Sequence, residues 1–118
     1  MPNYQAVDLT AVFRGLADPT RRAVIERLSR GPAPVTELAK PFEMALPSFT
    51  QHLCVLEDCG LVTSQKVGRV RTYQLVPASL SRADAWLNRQ RAHWNARLDQ
   101  LDTELVALHR HAKKDTAR

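Results

Sequence analysis

The stretch from Leu46 to Gly60 has a pattern that suits a helix with one apolar face and one unusual polar face. Phe49, Leu53 and Leu56 fall at i, i+4 and i+7, which places them on a single face suited to a core. Projected at about 100° per residue, Pro47, Ser48 and Gln51 lie opposite together with Cys54, and Thr50 and His52 lie on the flanks. The outer face near the N-terminus therefore carries small and amide-bearing side chains rather than a solvating Glu/Lys surface. Such residues can approach nucleic-acid base edges, since Gln can pair with adenine and Ser or Thr can donate or accept. Gly60 is placed to stop the helix at C′. Taken alone, the stretch is an ordinary amphipathic helix, and its neighbours change that reading.

Before it, Thr36-Glu37-Leu38-Ala39-Lys40-Pro41 predicts a short helix with Thr36 as N-cap and Glu37 in the first turn. Phe42 to Ala45 makes the turn between the two helices. After it, Leu61–Val67 and Val70–Leu75 are rich in β-branched and aromatic residues and flank Gly68-Arg69. A two-residue loop beginning with Gly fits a type II′ hairpin. Lys66, Arg69 and Arg71 cluster about its tip. Basic tips also protect strand edges from aggregation. Directly after a candidate recognition helix, the better reading is a phosphate-contacting wing. Helix, turn, helix and ribbon in this order predict a winged helix-turn-helix, which lays its second helix in the DNA major groove.

The motifs Leu16-Ala17-Asp18-Pro19-Thr20-Arg21-Arg22, Val35-Thr36-Glu37-Leu38-Ala39, Gln51-His52-Leu53, Leu56-Glu57-Asp58-Cys59-Gly60-Leu61-Val62 and Gly68-Arg69 resemble the ArsR/SmtB family of bacterial repressors. The likeness runs from about Val12 to about Leu75 and extends more loosely through the C-terminal helix. It implies a homodimer joined by its first and last helices, a recognition helix over Leu46–Asp58, and repression that an effector relieves. The Ala-Asp-Pro-Thr-Arg-Arg opening and the Trp-bearing last helix resemble the branch of autorepressors without metal sites. Two positions depart from the family pattern. Relatives usually carry Ser where Ala45 stands as N-cap, and Lys or Arg where Cys54 faces outward.

The family is known for metal sensing, which the residues here do not favour. Soft-metal sites need several thiolates brought together, and the helix that carries them in metal sensors reads Glu37-Leu38-Ala39-Lys40-Pro41. The last helix offers His93, His109 and His111 without the Asp/His/Glu pattern of the family's other site. No metal and no cofactor are expected. Cys54 and Cys59, five apart on one helix, diverge by about 140° and cannot readily pair within a monomer. Cys59 suits a buried position, while Cys54 on the outer face is a candidate redox switch without a cationic neighbour in sequence to lower its pKa. His52 and Cys54 at i, i+2 point apart, no oxyanion-forming loop is evident and there are only 4 Gly, so an enzyme is not expected. A winged helix that binds protein instead of DNA is the remaining alternative, and it predicts binding that ignores salt.

The other helices read as scaffold. Leu9, Val12, Phe13 and Leu16 mark a first amphipathic helix; Asp18 caps a second, with Pro19 at N1. Arg21 and Arg22 suit either phosphate contact or a solvated, salt-bridged role. The last helix is expected over about 81–110, opened by a capping box at Ser81-Arg82-Ala83-Asp84. Its residues Leu87, Trp94, Leu98, Leu101, Leu105 and Leu108 alternate largely by fours and threes, a heptad stripe that needs a partner. Leu9, Phe13, Leu87, Trp94, Leu98, Leu101 and Leu105 are therefore expected at a dimer interface. Trp86 and Trp94 suit the core of the same seam rather than a ligand box, and a pocket there is where an unknown small-molecule effector would bind.

The expected fold is mainly α with a small β-hairpin: about five helices plus a two-stranded wing in one domain over 1–118, with its core at about 7–76 and a flexible tail at 113–118. A net charge of +5 suits a polyanionic partner, here double-stranded DNA. Two Cys without a disulfide framework suit a reducing cytoplasm, and no apolar run approaches the roughly 18 residues of a membrane span. The DNA-binding set is expected to be Pro47, Ser48, Thr50, Gln51, His52, Lys66, Arg69 and Arg71.

Overall fold

The computed structural model describes residues 8–116, with side chains through 113. The elements are α1 (Leu9–Leu16), α2 (Pro19–Leu28), β1 (Ala33–Pro34), α3 (Val35–Ala39), α4 (Leu46–Asp58), β2 (Val62–Val67), β3 (Val70–Leu75) and α5 (Pro77–Thr116). By contacts the chain divides into two compact units, one up to Ala83 and one from Asp84.

In the first unit, local chemistry sets the boundaries of each helix. Asp8 caps α1 by accepting from the Thr10 N–H at 2.9 Å, and Asp18 caps α2 by accepting from the Arg21 N–H at 3.0 Å. Pro19 then opens α2, where its missing N–H costs nothing. The end of α4 is a Schellman motif. The Leu61 N–H bonds the Leu56 carbonyl at 3.0 Å and the Gly60 N–H bonds the Glu57 carbonyl at 3.0 Å. Gly60 sits at φ 78°, a conformation other residues rarely adopt, and Leu56 and Leu61 both close into the core.

Phe49, Leu53 and Leu56 are fully buried, as their spacing predicted, against Val12, Val24, Leu28, Leu38, Leu61 and Tyr73. Each such large apolar side chain contributes about 1.5–3 kcal/mol relative to exposure. Phe42, in the turn before α4, stacks on Phe49 with centroids 5.3 Å apart and rings tilted by 31°. α1 lies close on the segment after α4. A Cβ on Gly15 would stand 2.5 Å from Leu61 Cδ1 and 3.3 Å from Cys59 Cβ.

Three expectations about elements need correction. The sheet has three strands in the order β1-β3-β2, because Ala33 and Pro34 pair with Tyr73 and Thr72. A two-residue edge strand has no periodicity to read, and Pro34 is tolerated there because the edge needs no donor. Pro34, not Thr36, occupies the N-cap of α3, so Thr36 lies in the first turn. α5 begins at Pro77 rather than near Ser81. Pro77 suits a helix start, the Ser79 N–H bonds the Val76 carbonyl at 3.1 Å, and the buried Ser79 hydroxyl donates to the Gly60 carbonyl. Ser81 to Asp84 is therefore helix interior.

The second unit is the remainder of α5. Trp94, Leu98, Leu101, Leu105 and Leu108 are exposed along it. The tail expected at 113–118 is helical as far as Thr116; residues 117–118, like residues 1–7, lie outside the described residues. No helix is long and apolar enough to cross a membrane among the described residues.

Candidate nucleic-acid interface

The polar side of α4 is arranged much as its sequence predicts. Pro47, Ser48, Gln51 and Cys54 are exposed, and Thr50 and His52 are half-buried. Ala45 holds the N-cap backbone geometry, φ −62° and ψ 143°, but its methyl side chain accepts no hydrogen bond. The first turn of a helix presents N–H groups without intrahelical partners. Here no cap side chain covers them, and that end suits an anion.

The two flanking residues are more committed than their positions suggest. The Thr50 hydroxyl donates to the Leu46 carbonyl at 2.8 Å, which leaves it only lone pairs for an outside partner. His52 turns toward α2, with Nδ1 3.2 Å from Arg21 NH1 and 3.8 Å from Asp18 Oδ2. A neutral Nδ1 accepting from Arg21 leaves Nε2–H as the ring's remaining donor.

Arg21 and Arg22 close off α1. Arg21 Nε donates to the Gly15 carbonyl at 2.8 Å and NH2 to the Arg14 carbonyl at 3.0 Å, while Arg22 NH1 donates to the Leu16 carbonyl at 2.7 Å. These are the last carbonyls of α1, where cations also complement the helix dipole. Packing between α1 and α2 thus gives both arginines a structural role. The Arg21 backbone N–H holds the Asp18 carboxyl below its usual range against the opposing effect of burial, with the charges of His52 and Arg21 adding to it.

In the wing, Gly68 at φ 64° closes the hairpin, and no residue other than Gly has positive φ among the described residues. This matches a type II′ turn, with Val67 facing Val70 across it. Lys66 and Arg71 are cross-strand partners, and Arg69 stands in the turn; all three are exposed. Like charges directly opposite each other are unfavourable, a cost that a polyanion would relieve.

Two residues that the sequence did not single out complete this region. Arg71 NH1 donates to Ser64 Oγ at 2.8 Å, and Ser64 Oγ donates to Glu57 Oε1 at 2.9 Å. The hairpin register contained the signal. Ser64 faces Tyr73 and Lys66 faces Arg71, so all four share one face, the side toward Glu57 of α4. Burial raises the pKa of the Tyr73 hydroxyl, and the nearby Glu57 carboxylate raises it further.

Of the residues expected at a dimer interface, Leu9 and Phe13 pack partly buried against the core of the first unit. Leu87, Trp94, Leu98, Leu101 and Leu105 are exposed along α5. No group of three or more His, Cys, Asp or Glu able to hold a metal ion occurs among the described residues.

The comparisons agree with this geometry. Residues 16–65 match the family described as "Helix-turn-helix domain". The HTH-type transcriptional regulator Rv2034 of Mycobacterium tuberculosis is 42% identical over 81 residues, which is 69% of this chain and 74% of that protein. The crystal structure of the ArsR family transcriptional regulator RHA00566 superposes with a TM-score of 0.71 at 54% identity, covering 74% of this chain and 96% of that one. This chain belongs to the ArsR family. A further relative of this ArsR-family chain, the transcriptional repressor SdpR of Bacillus subtilis, is 28% identical over 76 residues, 64% of this chain and 84% of that protein. The protein is accordingly a DNA-binding transcriptional regulator built on a winged helix-turn-helix.

Proposed function

We propose that this ArsR-family chain is a homodimeric repressor that reads an inverted-repeat operator with the N-terminal half of α4. The observation that carries the reading is the outer face of α4. Pro47, Ser48 and Gln51 are exposed directly opposite a fully buried Phe49–Leu53–Leu56 face. Ser48 and Gln51 reach base edges, Thr50 accepts through its hydroxyl oxygen, and His52 donates from the flank through Nε2. Lys66, Arg69 and Arg71 hold phosphate and set the register of the protein on the duplex.

The dimer rests on the exposed stripe of α5 together with Leu9 and Phe13 of α1. Trp94, Leu98, Leu101, Leu105 and Leu108 at heptad spacing are too many apolar side chains for a helix that stays in water. A two-fold axis would place the recognition helices at half-sites about 34–36 Å apart. The setting is the cytoplasm, and a small-molecule effector is compatible with the reading.

The deciding experiment is a gel-shift titration against the protein's own upstream DNA, with and without reductant and with added Zn²⁺. Sequence-specific binding indifferent to both additions is the expected result. Loss of binding on oxidation would make the exposed Cys54 the switch, and loss on adding Zn²⁺ would mean that the histidines of α5 act as ligands. Salt-insensitive or absent binding would refute the DNA reading.

A further inference from the structure

We propose that Glu57 and Ser64 are positioning residues that tie the wing to the recognition helix and aim Arg71 at the DNA backbone. The inference rests on the wing reading above and adds two residues that touch no DNA themselves. The hydrogen bonds run in one direction, from Arg71 NH1 to Ser64 Oγ at 2.8 Å and from Ser64 Oγ to Glu57 Oε1 at 2.9 Å. A hydroxyl has one proton and two lone pairs, and here it uses the proton on a carboxylate and a lone pair on a guanidinium. Both ends are charge-assisted, and each bond polarises the other.

The placement of these groups matters for binding. Glu57 stands in the last turn of α4, Ser64 in the middle of β2 and Arg71 near the tip end of β3. The relay thus spans the recognition helix and both wing strands, and it fixes one terminal nitrogen of an otherwise exposed, flexible arginine. The guanidinium keeps its remaining N–H groups for phosphate, already oriented, so less side-chain entropy is lost on binding. Register supports the arrangement, because Ser64 and Arg71 lie on the strand face that carries buried Tyr73.

The test measures Kd across a salt series for a duplex of the upstream region and for a mixed-sequence duplex of equal length. The proteins are the full chain and its Ser64→Ala, Ser64→Thr, Glu57→Ala, Arg71→Ala and Ser64→Ala/Arg71→Ala variants. Ser64→Ala should weaken binding to both duplexes about three- to tenfold, the worth of one lost hydrogen bond, and Ser64→Thr should restore it. Glu57→Ala is the sharpest variant, because Gln would keep an amide oxygen that still accepts from Ser64. Removing a negative charge close to DNA would tighten binding if charge alone mattered, whereas a positioning role requires that loss of the acceptor weaken it. With Arg71 already replaced, Ser64→Ala should change nothing further.

Tighter binding by Glu57→Ala, or normal binding by Ser64→Ala where Arg71→Ala binds weakly, overturns the positioning role and leaves the wing reading intact. Normal binding by Arg71→Ala overturns both.

Discussion

Replacing Arg21 by alanine separates a structural arginine from a DNA-contacting one. In this structure its guanidinium bonds the Gly15 carbonyl at 2.8 Å, the Arg14 carbonyl at 3.0 Å and His52 Nδ1 at 3.2 Å. Hydrogen bonds to charged groups are worth about 1.5–3 kcal/mol each where desolvated. The Arg14 contact is exposed and the other two are part-buried, so the sum is discounted to about 2–3 kcal/mol for the three. For a domain of this size that lowers Tm by roughly 10 °C or more. Arg21→Lys should recover little of this, since a single amine cannot span three acceptors. Urea or thermal unfolding reads the stability loss, and a salt series on DNA binding reads any phosphate contact. The geometry expects destabilisation with an unchanged salt slope. An unchanged Tm together with a slope lower by about 0.9 per phosphate lost would refute the reasoning and return Arg21 to the DNA surface.

Gln51→Ala should relax sequence preference, while Arg69→Ala should weaken binding to all sequences about equally and flatten the salt slope; intact discrimination by Gln51→Ala in competition gel shifts would mean that the reading face of α4 is misplaced. Gly15→Ala sets two effects against each other. Helix propensity favours Ala by about 0.5–1 kcal/mol, but the new Cβ would stand 2.5 Å from Leu61 Cδ1, with Cys59 Cβ at 3.3 Å. Overpacking costs about 1–3 kcal/mol, so net destabilisation of about 1 kcal/mol is expected in urea unfolding, and Leu61→Val should relieve part of it. Asp18→Ala removes the α2 cap and should cost about 0.5–2 kcal/mol at neutral pH. The folded Asp18 pKa lies below the unfolded value near 3.8, so its stabilisation is complete above that value and is lost as pH falls through the folded pKa. The gap in unfolding free energy between wild type and variant should therefore close in acid below about pH 4.

The recognition helix was legible because its determinants are local. Phe49, Leu53 and Leu56 repeat with the helical period, Gly60 supplies the positive φ of the C-terminal cap, and the Gly68 turn fixes the strand register. Asp18-Pro19 likewise announced the start of α2, since an N-cap and its N1 proline need only neighbours in sequence. The start of α5 was misplaced for the opposite reason. Pro77 and Ser79 mark it, but Ser79 finds its acceptor at Gly60, across the fold.

Sequence by itself determined the order of the five helices and the two wing strands, the buried face of α4 and the basic composition of the wing tip, because periodicity, capping and turn chemistry act over a few residues. Tertiary structure alone decided what the polar side chains do with their hydrogen bonds. It committed Arg21 and Arg22 to the end of α1, turned His52 Nδ1 toward α2, added β1 to the sheet and joined Glu57, Ser64 and Arg71. A charged or hydroxyl side chain takes the nearest partner in space, and distance in space is set by packing rather than by position along the chain.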